Sequence, residues 1–501
     1  MKLTEKYIRK LFVKLKQKAE KALNKRQFNR CLCYLKAAAY TAYTFYLGFK
    51  DDELEKMLKQ LSSHIRKREK KLETITNRCV FYDSFSLDNK GLTQQYIRAI
   101  MNARWKLLYL MEQNMDNPNA RNIINEIRQY NNATIISIPN NLKSLERIQF
   151  IYDSIISFNP SKLFMHLSPS AVYAVTAFYA LPESIKRYQI NLTDHTFWIG
   201  TGCIDFSFEF RAYGAILSIF QRKISRENIF LLPYHPISKD SIFKGFPLNC
   251  NDKVVILSGG AYYKIVDEKK TFFKLLKIIL DNNSQAVIVF AGAGDNLIFA
   301  DFIKNNCYED RIHLIGHRSD INEVFKHCDI YLNTYPFSGG LMCQYAANNA
   351  KPILSFCSNN KSMVEEFVCQ KNFESISTFD LNSFANEAKK LIDDSKYRET
   401  KGRRMKDCIL SENEFNELFF KSIIENRNQV NFSEEEIMRD NDLLAKLEFE
   451  NRTSNYKCSL LKILGYRSVL VIPEIFFDAI LNLFYKKKFL KILYRYLYKV
   501  N

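Results

Sequence analysis

The sequence predicts an α/β protein built from two doubly wound domains, and three observations carry that prediction. Short runs rich in Val, Ile, Leu and Phe alternate with segments of helical period from residue 78 to residue 356. Strands separated by helices of that length form βαβ units and a parallel sheet. The alternation is interrupted at 231–252 by LLPYHPISKDSIFKGFPLNCND, a Pro-containing irregular stretch, and then restarts. At 501 residues the chain is long enough for two or three separate cores.

Taken in order, residues 1–76 read as helices. AEKALNKRQFNRCLCYLKAAAYTAYTFYLGF spaces small and apolar residues three and four apart, which suits a helical hairpin of tetratricopeptide type. The first α/β domain is expected at 77–230. Its strands are RCVFYDSF (78–85), KLLYLME (106–112), ATIISIP (133–139), KLFMHLS (162–168) and YQINLTDHTFWIG (188–200), with FEFRAYGAILSIFQRKI as the next helix. After a linker at 231–252, a second domain is expected at 253–430. Its strands are KVVILSGG (253–260), QAVIVFAGAG (285–294), RIHLIGH (311–317), DIYLNTY (329–335) and KPILSF (351–356). Residues 431–501 read as a basic helical tail.

The formal charge of +19 is concentrated at the ends. Residues 1–76 hold 20 Lys and Arg against 8 Asp and Glu, and residues 459–501 hold 8 against 2. Basic ends suit an anionic partner. ILNLFYKKKFLKILYRYLYKVN, at the end of the chain, alternates basic and apolar residues at helical spacing, as either a helix on an anionic membrane surface or a packed helix with a solvated basic face. No zinc module or aromatic-rich basic sheet motif points to nucleic acid. The 12 cysteines are scattered without a CxxC pair, which predicts free thiols in a reducing compartment. The N-terminus lacks the apolar core of a signal peptide, and no run reaches the roughly 18 uncharged apolar residues of a membrane span. A cytoplasmic location, with attachment at the inner face of the membrane as an option, is the expectation.

In doubly wound sheets ligands bind outside the carboxyl ends of the strands, so the loops there hold the candidate residues. SGGAYYKI ends the first strand of the second domain: Gly259 and Gly260 admit a ligand close to the backbone, and Lys264 supplies a point charge for a diphosphate. YLNTYPFSGGLMCQYAANNAKPILSF (331–356) sets Ser338, Gly339 and Gly340 at a strand-to-helix junction. Free amides and the helix dipole make such a junction an anion site, and Ser338 suits the N-cap. In the first domain, NLTDHTFWIG puts Asp194 and His195 just past a strand. An imidazole titrates near neutrality and serves as a base, and Asp194 is either the base itself or the group that orients the ring. His166, in FMHLSPS, is a second candidate. No His, Asp or Glu cluster has metal-ligand spacing, so no metal is expected.

RIHLIGHRSDINEVFKHCDIYLNTYPFSGGLMCQYAANNAKPILSF (311–356) resembles the nucleotide-sugar half of GT-B glycosyltransferases, in particular the protein O-GlcNAc transferases and the bacterial N-glycosyltransferases. The likeness covers residues 253–357 and extends more loosely over 78–250. It implies two domains facing a cleft, with the nucleotide sugar on the second. It implies that Lys264 meets the donor diphosphate together with Ser338, Gly339, Gly340 and the amides of Leu341 and Met342, and that His317 and Arg318 lie along the base. On the acceptor side, YDSFSLDNKGLTQQYIRAI resembles the family's glycine loop, with Asp88, Gly91 and Thr93 facing the cleft. The chain departs from the family at Leu341 and Met342, where threonines are usual, and at Tyr345, where an acid would hold the ribose. Glu365 is the nearest substitute. Phe337 and Tyr345 stand where retaining members carry glutamates.

The resemblance implies a metal-independent hexosyltransferase with no cofactor beyond its donor, a UDP-sugar, and with a glycan, lipid-linked or protein acceptor. Two other readings remain open on the sequence. A UDP-sugar 2-epimerase would share the architecture without an acceptor, and a non-enzymatic module would use its basic ends for binding alone.

Overall fold

The computed structural model describes residues 3–66, 75–88, 93–237, 241–248, 250, 252–358, 364–427 and 455–477. The chain forms two compact units, one of Met1–Leu231 with Glu425–Asn501 and the other of Leu232–Ile424. Gly91 and the basic helix expected near the C-terminus lie outside the described residues. Among the described residues, no helix is long and apolar enough to cross a membrane.

In the first unit, β1 (Ile75–Asp83), β2 (Lys106–Met111), β3 (Ala133–Ser137), β4 (Pro160–His166), β5 (Lys186–Asn191), β6 (Phe206–Glu209) and β7 (Ile229–Leu231) form a parallel sheet of order β3-β2-β1-β4-β5-β6-β7. Its order reverses direction between β1 and β4, the switch point of a doubly wound sheet. Helices α1 (Glu5–Asn24), α2 (Phe28–Thr44) and α3 (Asp52–Ser62) precede the sheet. They are followed by α4 (Thr93–Asn102), α5 (Arg121–Arg128), α6 (Ser144–Phe158), α7 (Val172–Tyr179) and α8 (Ala212–Phe220). The sequence places Phe208 and Glu209 at the start of a helix, yet Phe206–Glu209 is extended. It is a strand because Ser207, Phe208 and Glu209 pair with Gln189, Ile190 and Asn191 on β5, and with Ile229, Phe230 and Leu231 on β7.

The N-terminal helices are not a separate layer. α1–α3 share one apolar core with α6, α7 and the inner face of β1, β2 and β4, and Tyr456, Leu460, Leu464 and Ile475 join the same core. That is why α2 is buried on most sides, with Ala37, Ala38 and Ala39 fully covered. Thr41 Oγ1 and Tyr456 Oη, 2.9 Å apart, fix the returning C-terminal segment onto α2.

α3 also holds a loop of the first domain. Glu55 is buried and accepts a hydrogen bond from Gly200 N at 2.6 Å and others from Thr201 N, Gly202 N and Tyr179 Oη. Burial raises its carboxyl above the ordinary range, against those hydrogen bonds. Gly200 has φ +110°, so the turn that presents its amide requires glycine. Glu55→Ala orphans several buried donors and is expected to lower unfolding free energy by about 2–4 kcal/mol, whereas Glu55→Gln keeps an acceptor and loses less than about 1 kcal/mol. Urea denaturation of the two variants measures the difference.

The second unit has β8 (Val254–Ala261), β9 (Ala286–Ala293), β10 (Ile312–Leu314), β11 (Ile330–Leu332), β12 (Ile353–Phe356) and β13 (Ser377–Thr378) in parallel order β10-β9-β8-β11-β12-β13. Its helices are α9 (Thr271–Asn282), α10 (Leu297–Asn305), α11 (Ile321–Lys326), α12 (Gly340–Asn348), α13 (Val364–Val368), α14 (Leu381–Asp393), α15 (Ser395–Cys408) and α16 (Glu412–Glu425). The switch point lies between β8 and β11. The stretch expected as a linker packs onto this unit: Tyr234 O accepts from Gln344 and Gln370, Ile237 O from Tyr345 Oη, and Phe243 stacks on His327 at 3.8 Å.

Candidate functional site

At the second switch point the residues singled out in β8 and in 331–356 come together. The backbones of Gly259 and Gly260 run beside Ala291 and Gly292 of β9. A Cβ on Gly259 would sit 2.5 Å from Ala291 O and 3.0 Å from Met342 Cε, so glycine is required for packing there. Gly260, at φ +143°, has Lys264 Cδ 3.5 Å from the position of a Cβ. The 3-10 turn Tyr262–Ile265 carries Lys264, and Lys264 O accepts from Phe337 N at 3.3 Å. The lysine is thereby tied to the loop that leads into α12.

That loop is organised by Asn333. Its Oδ1 accepts from Gly339 N at 3.0 Å, Ser338 Oγ at 3.3 Å and Cys343 Sγ at 3.3 Å. Ser338 is therefore not the N-cap expected from sequence; Gly339 holds that position and the serine donates backwards to Asn333. The first-turn amides of Gly340, Leu341 and Met342 have no acceptor within the helix, as at any helix start. Gly340 faces the Phe367 ring, 2.8 Å from where a Cβ would stand. The glycines thus serve close packing as well as leaving the helix mouth free of side-chain bulk. Two buried hydroxyls within the flanking strands, Ser258 Oγ in β8 and Tyr331 Oη in β11, have no hydrogen-bond partner among the described residues. Such groups cost stability. Nothing in the local sequence marked them.

Other candidates have structural partners. Glu365 is bonded to Ile376 N at 3.0 Å, Ser377 N at 2.8 Å and Ser377 Oγ at 3.2 Å, so this carboxylate secures the entry to β13 and does not stand open as a ribose-binding acid. Arg318 pairs with Asp320 and donates to Gly245 O at 2.9 Å, which turns it away from the expected base-lining role. His317 is exposed beside it. Tyr345 is buried, stacks on Phe325 and donates to Ile237 O at 3.0 Å, so it serves packing within this unit.

In the first unit, Asp83 at the end of β1 and His166 at the end of β4 meet across the switch point, Oδ1 to Nδ1 at 2.9 Å. Tyr109 Oη donates to the other Asp83 oxygen at 2.8 Å, and Phe85 lies against the imidazole, which is buried. Asp88 accepts from Asn122 N, Asn122 Nδ2 and Ile123 N, capping the start of α5, and Thr93 is buried at the start of α4.

Asp194 and His195 sit in the loop after β5. Arg211 donates to Asp194 Oδ2 at 2.5 Å and to Oδ1 at 3.0 Å, and Asp194 Oδ1 lies 3.1 Å from His195 Nδ1. Burial alone would raise the Asp194 carboxyl, but the Arg211 charge and the hydrogen bonds of His195 and Arg211 outweigh it and hold the group well below the usual carboxylate range. Asp194 is thus removed as a base. What it does is fix the imidazole, whose side chain is 40% exposed against 1% for the aspartate.

Beneath the pair lies a buried network absent from the sequence reading. Glu209 accepts from Asn191, Ser207 and Ser218, and Arg222 donates to Asp194 O and Thr196 O. The signal was Glu209 inside the apolar run FEFRAYGAILSIF, with Arg222 two residues past its end.

Arg211→Met would strand the Asp194 charge and is expected to cost about 3–5 kcal/mol by thermal or urea unfolding. Because the folded carboxyl titrates below its unfolded value, this stabilisation is present above the unfolded pKa and is lost as pH falls through the folded one. The loss in the variant should therefore shrink toward acid.

No protein-family model matches the chain, and no curated protein matches it in sequence. Among solved structures, Anabaena HepE in complex with UDP and glucose aligns with a TM-score of 0.50 at 11% identity, covering 70% of this chain and 99% of that one. A variant of the Thermobaculum terrenum O-GlcNAc transferase gives 0.49 at 9% identity, over 85% of this chain and 79% of its own. A Listeria monocytogenes protein assigned as a UDP-N-acetylglucosamine 2-epimerase gives 0.49 at 12% identity, over 72% and 100%. The two parallel sheets and the first of these likenesses give the chain the fold of the GT-B glycosyltransferases.

Proposed function

We propose that the protein is a glycosyltransferase that takes a sugar from a UDP-sugar and delivers it to a glycan, lipid-linked or protein acceptor. The observation that carries this reading is the convergence at the β8/β11 switch point of Gly260, Lys264 and the first turn of α12. Switch points are where doubly wound sheets take ligands, and a lysine beside uncommitted helix amides is a place for a diphosphate.

Lys264 and the amides of Gly340, Leu341 and Met342 stabilise the charge that grows on the leaving diphosphate, so the reaction needs neither a metal nor a cofactor beyond the donor. With Leu341 and Met342 in place of hydroxyl side chains, the backbone and Lys264 carry that task. Gly259 keeps Met342 close, and Ser338 and Gly339 hold the loop through Asn333. His317 lies nearest in sequence to the expected base-binding loop. On the acceptor side, His195 takes the hydroxyl proton as the new bond to the sugar forms and the electron pair of the broken bond leaves with UDP. Asp194 orients the ring, and His166 with Asp83 shapes the first switch point.

The test is the fate of a labelled sugar. Incubation with UDP-sugars and candidate acceptors should release UDP and place the label in covalent linkage to the acceptor. UDP with free 2-epimerised sugar, whether or not an acceptor is present, would make the protein an epimerase instead.

A further inference from the structure

Outside both switch points, the first unit carries a basic surface of a particular make. The turn between α1 and α2 and the turn Gly465–Arg467 enclose an open cavity of about 370 Å³, lined by Arg26, Arg30 and Arg467 with Phe28 and Tyr466 among its walls. Arg30 donates to Gln27 Oε1 at 2.9 Å, and no carboxylate among the described residues pairs with any of the three arginines. α2 begins here with no acidic residue in its first turn. Lys14, Lys18 and Lys21 continue the positive face along α1. Burial lowers the Lys18 ammonium, and the like charges of Lys14, Lys21 and Arg30 lower it further.

The apolar pattern next to this cavity is the second observation. In the segment after Gly465, Val471, Ile472 and Ile475 are buried against the helical core. The opposite side is also apolar: Tyr466 is 73% exposed, Leu470 69% and Val469 39%. A short helical segment with apolar residues on both faces has a second surface to cover. Here that surface adjoins the arginines of the cavity through Tyr466, which Arg467 overlies at 4.5 Å while its guanidinium also hydrogen-bonds the Cys33 thiol. Guanidinium groups flanked by an exposed tyrosine and leucine match an interface where phosphates lie above acyl chains. A soluble polyanion would use the charges and leave Leu470 without a role.

We infer that this face docks on an anionic phospholipid surface, with Arg26, Arg30 and Arg467 taking lipid phosphates and Tyr466 and Leu470 entering the interface. The inference is independent of the nucleotide-sugar reading and of the basic helix expected near the C-terminus, because it rests on other residues.

Cosedimentation of the full chain with vesicles tests it. Binding is expected to equimolar phosphatidylcholine and phosphatidylglycerol, falling with added salt, and not to phosphatidylcholine alone. Arg26→Gln with Arg30→Gln should lower the partition roughly thirtyfold, and Leu470→Ser about tenfold. All three positions lie at the surface, and circular dichroism melting should match the parent chain. Vesicle binding unchanged in both variants would overturn the proposal by placing attachment elsewhere. So would equal binding to neutral vesicles. Tight binding to an RNA oligonucleotide that falls in the arginine variant and is untouched by Leu470→Ser, with no vesicle binding, would make the face a soluble-polyanion site and also overturn it.

Discussion

Lys264→Ala is expected to abolish detectable UDP binding and to lower sugar transfer by about 10²–10³-fold, the loss typical of removing one preorganised charge stabiliser. Lys264 O accepts from Phe337 N, and alanine keeps that backbone bond. The 3-10 turn packs through Tyr262 and Ile265, which belong to the core of the second unit. The substitution removes the ammonium and its stem over Gly260. Thermal unfolding without ligand should therefore be close to that of the parent chain, while calorimetric titration with UDP loses its signal. Lys264→Arg should retain part of the affinity, because a charge remains but with planar geometry.

His195→Ala is expected to do the opposite. UDP binding is retained and transfer falls by about 10²–10⁴-fold, the usual contribution of a positioned general base. The imidazole is half exposed and touches the buried network only through Asp194 Oδ1, which keeps its bond from Arg211. Truncation therefore leaves the network whole. His166→Ala separates the two histidines: it removes a buried partner of Asp83 and should lower stability before it lowers the chemical step. If His166→Ala proves stable and inactive while His195→Ala transfers normally, the role belongs to the first switch point.

The alternation of apolar runs with helical segments made the two parallel sheets readable, because buried parallel strands are near-continuous runs of Val, Ile, Leu and Phe. The elements missed were short. The end of β6 reads as helix because FEFRAYGAILSIF is apolar apart from Glu209, Arg211 and Ser218, and periodicity does not divide such a run. β13 is two residues and exists through its pairing with Ser355 and Phe356. Residues 1–76 read as a helical extension, and α1–α3 bury their apolar faces on the sheet's own helices, a contact no local pattern encodes.

At the candidate site, glycines and lysine were legible from their position after strands. Their partners were not. Asn333 outcompetes Ser338 for the amide of Gly339 because its carbonyl is already aimed at the loop from the end of β11. Arg211 neutralises Asp194 from 17 residues away. Glu365 was read as open because an acid at a helix start usually is, yet the backbone of Ile376 and Ser377 reaches it. Long-range polar pairs of this kind decide which candidate remains chemically available.

The central claim is that the second unit holds a sugar-nucleotide site. The direct measurement is the thermal shift of the full chain across UDP-, GDP-, ADP- and CDP-sugars, run beside Lys264→Ala. Ligand at about 100 times its Kd should stabilise the parent by about 2.7 kcal/mol, several degrees in Tm, with UDP-sugars strongest and the variant unresponsive. No shift with any of the four, or an equal shift in Lys264→Ala, would contradict the account.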